Sequence, residues 1–212
     1  MSLLVELSGE SLELARAEAG AATEALGGQV VGPLDGAETL FEVRLESGLG
    51  RPLTDRLALA HRCLVLADLS ADGVPAPTSS PGAAAFRPFR RLSGGAREET
   101  VLRAARSWKE AGGTIDLDHP DHRFCWLERS ERPAIWLEEV AAVDRRAVSA
   151  RRLSALPFRR PVGLDPRLAR AAANLARVRP GDRVVDPFVG TGALLAEAAL
   201  LGARIVGIDR DP

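Results

Sequence analysis

The residues with the most chemical content in this 212-residue chain run from Asp186 through Pro187, Phe188, Val189, Gly190 and Thr191 to Gly192, with Asp209 following 23 positions after Asp186. Arg183–Asp186 reads as a strand ending in an acid. A Gly-x-Gly turn then opens a helix over 193–201, and Arg204–Ile208 reads as a second strand, ending at Asp209. Ligands of open parallel sheets bind outside the carboxyl ends of the strands, where Gly190 and Gly192 let the backbone come close. An acid closing the second strand suits ribose hydroxyls. Three readings fit: a dinucleotide site, an S-adenosylmethionine site, or a glycine turn with only a structural role. A dinucleotide site wants a small residue where Leu195 stands, and Asp186 would repel a pyrophosphate at the helix N-terminus. S-adenosylmethionine has no phosphate and carries an ammonium and a sulfonium that an acid attracts. It is the favoured cofactor, with Asp186, Pro187, Phe188, Gly190, Thr191, Gly192 and Asp209 as its candidate contacts.

Charge is the second signal. The net charge of −1 is a cancellation: residues 1–50 hold nine acids and two arginines, whereas residues 145–183 hold eleven arginines and two acids. A basic block of this density is the footprint of a polyanion partner, and Arg145, Arg146, Arg151, Arg152, Arg159 and Arg160 are its candidate contacts. The alternative is a solvated face in a chain with an arginine habit, since Lys109 is the only lysine. Phe86, Arg87, Phe89, Arg90 and Arg91 interleave aromatics with cations, as a stacking-plus-phosphate surface would; two Phe at a strand start are more often core.

Other chemistry is weaker. His119, His122 and Cys125 have metal-like spacing, but no fourth ligand is near and Pro120 fits a turn, so no metal is expected. Trp108, Trp126 and Trp136 read as core. Arg170 and Asn174 share a helix face and either orient the cofactor loop or tie the structure together. No apolar run reaches the ~18 residues of a membrane helix and no signal-peptide pattern follows Met1. Two cysteines suit a reducing cytoplasm.

The elements that must position these residues alternate. Strands are expected at Leu3–Leu7, Gln29–Val31, Leu40–Leu45 and Cys63–Leu69, with helices from Ser8 or Ser11 to Leu26 and from Pro52 to His61. The order βαββαβ is that of a ferredoxin-like sandwich. Residues 71–85, rich in Pro and Gly, read as a linker or long loop. A strand at Phe86–Leu92, a helix at Ala96–Ala111 and strands at Thr114–Leu117, Phe124–Leu127 and Ala134–Glu138 follow. The arginine block reads as coil until a helix starts at Asp165-Pro166, a strong cap-plus-proline signal. Both C-terminal strands read as buried.

Residues from about 155 to 211 resemble the archaeal and eukaryotic tRNA guanine-10 N2-methyltransferases. The resemblance lies in Pro157, Phe158 and Pro161, then Pro166, Leu168, Ala169, Arg170, Asn174 and Leu175, then Asp186 to Gly192. Upstream, Arg56-Leu57-Ala58-Leu59 is similar to a helix of the family's N-terminal region. Asp116-Leu117-Asp118-His119-Pro120-Asp121 is similar to the acid-rich turn of a THUMP domain, an RNA-binding module. The implied fold is α/β with an α+β front: a ferredoxin-like N-terminal unit (1–70), a THUMP-like domain (71–144), a basic linker (145–163) and the first βαβ of a Rossmann-like methyltransferase (164–212).

The resemblance implies methyl transfer from S-adenosylmethionine to the exocyclic amine of a tRNA guanine. The family holds that amine with an Asp-Pro-Pro-Tyr type motif, because its lone pair is delocalised into the ring and it must be oriented for attack. Here Asp-Pro occurs at 165, 186 and 211 without a second proline, and there is no tyrosine. No catalytic residue is therefore named, and the chain by itself is expected to bind tRNA without turnover, as an N-terminal portion of such an enzyme. Rival readings are another THUMP methyltransferase acting on rRNA or a different tRNA guanine, and a non-catalytic RNA-binding protein. An accessory subunit leaves no signature.

Overall fold

The computed structural model describes residues 1–89, 95–129, 132–151 and 163–210. Two compact units emerge: one comprises Met1–Pro33, Thr39–Cys63 and Ala141–Pro212, the other Leu34–Glu38 and Leu64–Val140. The fold is mixed α/β, and no helix among the described residues is long and apolar enough to cross a membrane.

The first unit begins with β1 (Ser2–Leu7), α1 (Leu12–Ala25), β2 (Gln29–Leu34), β3 (Ala37–Arg44), α2 (Gly50–Arg56) and β4 (Ala60–Leu66), the expected βαββαβ order. The strands lie in the order β2-β3-β1-β4, with β1 antiparallel to β3. Alternation buries Leu3, Val5 and Leu7 from β1 with Leu40 and Val43 from β3, while Ala15, Ala19 and Ala22 pack from α1. Helix α2 ends five residues earlier than its apolar spacing suggests. The Glu18 carboxylate accepts Ala58 N–H at 3.0 Å and Leu59 N–H at 2.8 Å, which takes those amides out of a helical ladder and starts β4 at Ala60.

The second unit carries β5 (Ala83–Pro88), α3 (Gly95–Glu110), β6 (Thr114–Ile115), β7 (His122–Arg129) and β8 (Arg132–Ala142), with strand order β8-β7-β5-β6. Strand β5 runs parallel to β7 with Phe86 beside Phe124, and β7 runs antiparallel to β8 with Trp126 beside Trp136. These rings and Trp108 of α3 form the core with Val74, Ala84 and Ala104. Phe86 stacks on Phe124 at 5.2 Å and meets Trp108 and Trp136 edge-on. Thus Phe86 and Phe89 are core, as are Trp108 and Trp136, and Val74 gives the Pro-rich stretch a buried anchor. Gly113 is required by close approach, since a Cβ there would lie 2.3 Å from the Trp108 indole.

The chain returns to the first unit as α4 (Arg145–Ala150), α5 (Pro166–Leu175), β9 (Arg183–Asp186), α6 (Ala193–Leu200) and β10 (Arg204–Gly207). Part of the arginine block, expected as coil, is thus helical: Asp144 caps α4 by accepting Ala147 N–H at 2.8 Å. Asp165 caps α5 in the same way through Arg167 N–H, with Pro166 opening the helix. Strands β9 and β10 pair in parallel but are not buried on both faces. Val184 packs toward Ala173, Val178, Ala198 and Leu201, so by alternation its neighbour Val185 points away and is 50% exposed.

Candidate functional site

The loop between β9 and α6 is built by backbone bonds that link the ends of the two parallel strands. Ile208 N–H donates to Asp186 O and Val189 N–H to Ile208 O, while the Asp186 carboxylate accepts Phe188 N–H at 3.0 Å. The Asp209 carboxylate accepts Gly190 N–H at 2.7 Å. The two strand-terminal acids therefore sit on the same loop, one shaping its entry and the other its apex. Gly190 and Gly192 adopt φ of +50° and +77°, and Gly192 is the N-cap of α6. A Cβ on Gly192 would meet nothing within 4 Å, and one on Gly190 would meet only the Phe188 carbonyl at 4.0 Å. The loop is thus a backbone cradle with open space above it, flanked by the Phe188 ring at 87% exposure.

Two buried polar clusters hold the elements around this loop. Glu197 of α6 is 2% exposed, and its carboxylate accepts Arg170 Nε at 2.6 Å and Arg151 Nε and Nη2 at 2.6 and 3.0 Å. In the second cluster Asn174 Oδ1 accepts Arg56 Nε, and Asn174 Nδ2 donates to Glu18 Oε1 and to the Arg56 carbonyl. Arg56 also donates to the Val178 carbonyl at 2.8 Å. Burial pushes the Glu18 carboxyl up, against the pull of its three hydrogen-bond donors, and burial pushes the Arg56 guanidinium down. The hydrogen bonds that Arg170 and Asn174 make among the described residues are therefore ties within the first unit, to Glu197, Arg56 and Glu18.

The basic block is largely engaged by the acidic front. Arg167 and Arg145 both reach Glu10, Arg177 pairs with Glu24, and Arg179 donates to the Glu24 carbonyl. Of the candidate polyanion contacts, Arg145 holds Glu10 and lies 3.2 Å from His61 Nδ1, Arg151 holds Glu197, and Arg146 is exposed. Arg152, Arg159 and Arg160 lie outside the described residues, as do Arg90 and Arg91. The partners Glu10, Glu18 and Glu197 carry no motif, yet Glu197 leaves a trace as the single acid in the apolar run of α6, whereas Glu18 shares α1 with Glu13 and Glu24.

In the second unit, Asp116 accepts Asp118 N–H and His119 N–H, which holds its carboxyl below the usual range, and Asp121 accepts Ala83 N–H. His122 pairs with Glu138 at 2.7 Å. Cys125, three positions along the same strand, faces the other way and is buried, so the two cannot converge on one ion. Among the described residues no group of three or more His, Cys, Asp or Glu has the arrangement of a metal site.

Residues 155–211 match the RMKL-like methyltransferase domain family. The chain is 34% identical over 125 residues to the tRNA (guanine(10)-N2)-dimethyltransferase of Methanothermobacter thermautotrophicus, covering 58% of this chain and 37% of that protein. It is 61% identical over 46 residues to the enzyme of that name from Methanocaldococcus jannaschii, covering 22% and 13%. It is also 27% identical over 110 residues to the tRNA (guanine(10)-N(2))-methyltransferase of Saccharomyces cerevisiae, covering 47% and 25%. The matches thus span about a third or less of these relatives. The crystal structure of TrmN from Thermus thermophilus superposes over 100% of this chain and 66% of its own, with a TM-score of 0.50 and 24% identity, a likeness of fold.

Proposed function

We propose that this chain, a homologue of the tRNA (guanine-10-N2)-methyltransferases, binds S-adenosylmethionine at Asp186–Gly192 and Asp209 and serves methyl transfer to a guanine amine of tRNA in the cytoplasm. One observation carries the reading. Asp186, which ends β9, and Asp209, two residues beyond the end of the parallel strand β10, both hold one glycine loop, with open space above Gly190 and Gly192.

The donor set fits the cofactor. When bound, S-adenosylmethionine supplies a methyl group made electrophilic by its sulfonium. Asp186 offers negative charge toward the methionyl ammonium. Asp209, spending one oxygen on Gly190, keeps acceptor capacity for the ribose hydroxyls. Gly190 and Gly192 admit the ligand to backbone distance, and Pro187, Phe188 and Thr191 border it. In this reading residues 1–70 and 71–144 recognise tRNA, 145–163 connect, and 164–212 open the methyltransferase domain. Arg145, Arg146, Arg151, Arg152, Arg159 and Arg160 remain the proposed phosphate contacts. The amine-orienting Asp-Pro-Pro-Tyr type motif is absent from these 212 residues, so they bind without turnover.

Titration calorimetry of S-adenosylmethionine into the 212-residue chain tests the reading. Asp209→Asn preserves an acceptor for Gly190 N–H but loses charge and acceptor capacity, and affinity is expected to fall roughly tenfold. Absence of binding by the unsubstituted chain, or equal binding by the variant, overturns the assignment.

A further inference from the structure

Glu10 occupies an unusual position for a surface acid. It sits just before α1 with its side chain 61% exposed, yet two arginines from the basic block converge on it. Arg167 brings both Nη atoms to the two carboxylate oxygens, and Arg145 Nη2 approaches Oε1 at 3.5 Å. Arg145 in turn places Nη1 3.2 Å from His61 Nδ1. A fork of guanidinium donors on a two-oxygen anion is the geometry in which arginine binds phosphate. Both cations spring from helix starts that are firmly capped, Arg167 behind Asp165 and Arg145 behind Asp144. Arg167 also feels the Asp165 and Glu18 carboxylates, but Glu10 is the one acid that occupies the fork itself. The Arg167 Nε, buried, has no hydrogen-bond acceptor among the described residues.

We infer that Arg145 and Arg167 form a phosphodiester-binding site for tRNA, and that Glu10 fills it as an internal competitor when no RNA is present. This deepens the proposed tRNA-binding reading and rests on it. The Glu10–Arg167 contact holds the Glu10 carboxyl below its ordinary range, so the competitor is charged throughout the neutral region. Glu10 is the solvent-facing member of the pair, with Arg167 21% exposed behind it, so an incoming phosphate replaces the carboxylate from the solvent side and meets the same fork. The basic block and the acidic front are then two halves of one device: the front masks arginines that RNA uncovers.

The test is fluorescence anisotropy of a labelled tRNA transcript with the 212-residue chain across a potassium chloride series. The variants are Glu10→Gln, Glu13→Gln and Glu10→Gln combined with Arg167→Gln. Glu13 is exposed in the first turn of α1, three residues on from Glu10, so its variant reads the effect of removing one negative charge away from the Arg167 fork. Relative to Glu13→Gln, Glu10→Gln is expected to bind at least about threefold tighter, with a log–log salt slope steeper by roughly one, the signature of an added phosphate contact. Arg167→Gln in that background should cancel the gain. Equal behaviour of the two single variants, or a gain that survives loss of Arg167, overturns the inference and leaves tRNA binding standing. Failure of every variant and of the unsubstituted chain to bind removes both the tRNA reading and this site. Glu10→Ala repeats the comparison should the glutamine retain a bond to Arg167.

Discussion

Asn174 Nδ2 donates to Glu18 Oε1 at 2.9 Å across 156 residues of sequence, and both side chains are fully buried. The bond joins α5, which precedes β9, to α1 of the front. Asn174 Oδ1 takes the Arg56 guanidinium at 3.2 Å, so a neutral amide sits between an acid and a base, using its donor and acceptor sides for each. This explains why the C-terminal segment and residues 1–33 and 39–63 form one compact unit.

Asn174→Ala should therefore unfold the first unit more easily than its size suggests. It leaves Arg56 Nε without its amide acceptor and removes one of three donors from the buried Glu18 carboxylate. A loss of about 3 kcal/mol is expected in urea unfolding, against under about 1 kcal/mol for Asn at an exposed helical site. A change within the smaller range would show that solvent replaces the amide.

Glu197 is the sole carboxylate bonded to Arg170 and Arg151 among the described residues. Glu197→Ala strands the Arg170 guanidinium, whose side chain is 6% exposed, and should cost about 3–5 kcal/mol. Arg151→Ala removes the more exposed partner and should cost far less, because Glu197 keeps Arg170. Thermal denaturation of the two variants side by side checks the asymmetry, and equal losses would refute it.

Local signals made much of the fold legible. Alternation located β1 and β3, the Asp165-Pro166 cap located α5, and the glycine pair located the loop that ends β9. The hydrogen bonds by which Asp186 and Asp209 hold that loop are not in the sequence pattern, which marks the two acids only as candidate ligand contacts. Long-range electrostatics was not. Nothing near Glu18 announces that it will capture the amides of Ala58 and Leu59, and so apolar spacing alone carries α2 on to His61. The arginine block, similarly, reads as free charge until Glu10, Glu24 and Glu197 are found beside it. Burial of β9 and β10 was overread because an apolar run does not say how many faces are covered.

Gly192→Ala probes the loop without adding bulk to a crowded place. The site is open, so the cost is conformational: a non-glycine residue at φ +77° should lose about 1 kcal/mol. Gly207→Ala differs, because its Cβ would lie 2.9 Å from the Val189 side chain and 3.1 Å from Leu195. It should disturb the loop by overpacking, costing about 1–3 kcal/mol. Amide hydrogen exchange over 188–192 should rise in the Gly207 variant; unchanged exchange would show that Val189 yields freely.

Glu18 predicts a specific acid-side behaviour. Burial raises its carboxyl in the folded state above 4.5, so between that value and the raised one the native state binds more protons than the unfolded state. Stability contributed by this group is present at low pH and is lost as pH rises through the window. Subtracting the stability–pH curve of Glu18→Gln from that of the unsubstituted chain should leave a downward slope starting near pH 4.5. A flat difference would mean the carboxylate's hydrogen bonds offset its desolvation.

The alkaline limb is unusually clean, because the chain has no tyrosine and one lysine. Cys63 is fully buried on β4, and burial pushes its thiol up from 9.0 to about 12. Above pH 9 the unfolded state loses this proton while the folded state keeps it, so stability must fall as pH climbs toward 12. Three units correspond to roughly 4 kcal/mol at most, discounted by whatever structure the unfolded chain retains. Cys63→Ala costs about 1 kcal/mol of packing at every pH and abolishes this slope, since alanine has nothing to ionise. By linkage the stability lost through the Cys63 proton is about 1 kcal/mol near pH 9.5 and about 2 kcal/mol near pH 10.5. Urea midpoints should therefore be lower for Cys63→Ala at pH 8, meet near pH 9.5 and be higher for it at pH 10.5. Parallel curves would show that Cys63 is reached by solvent before global unfolding.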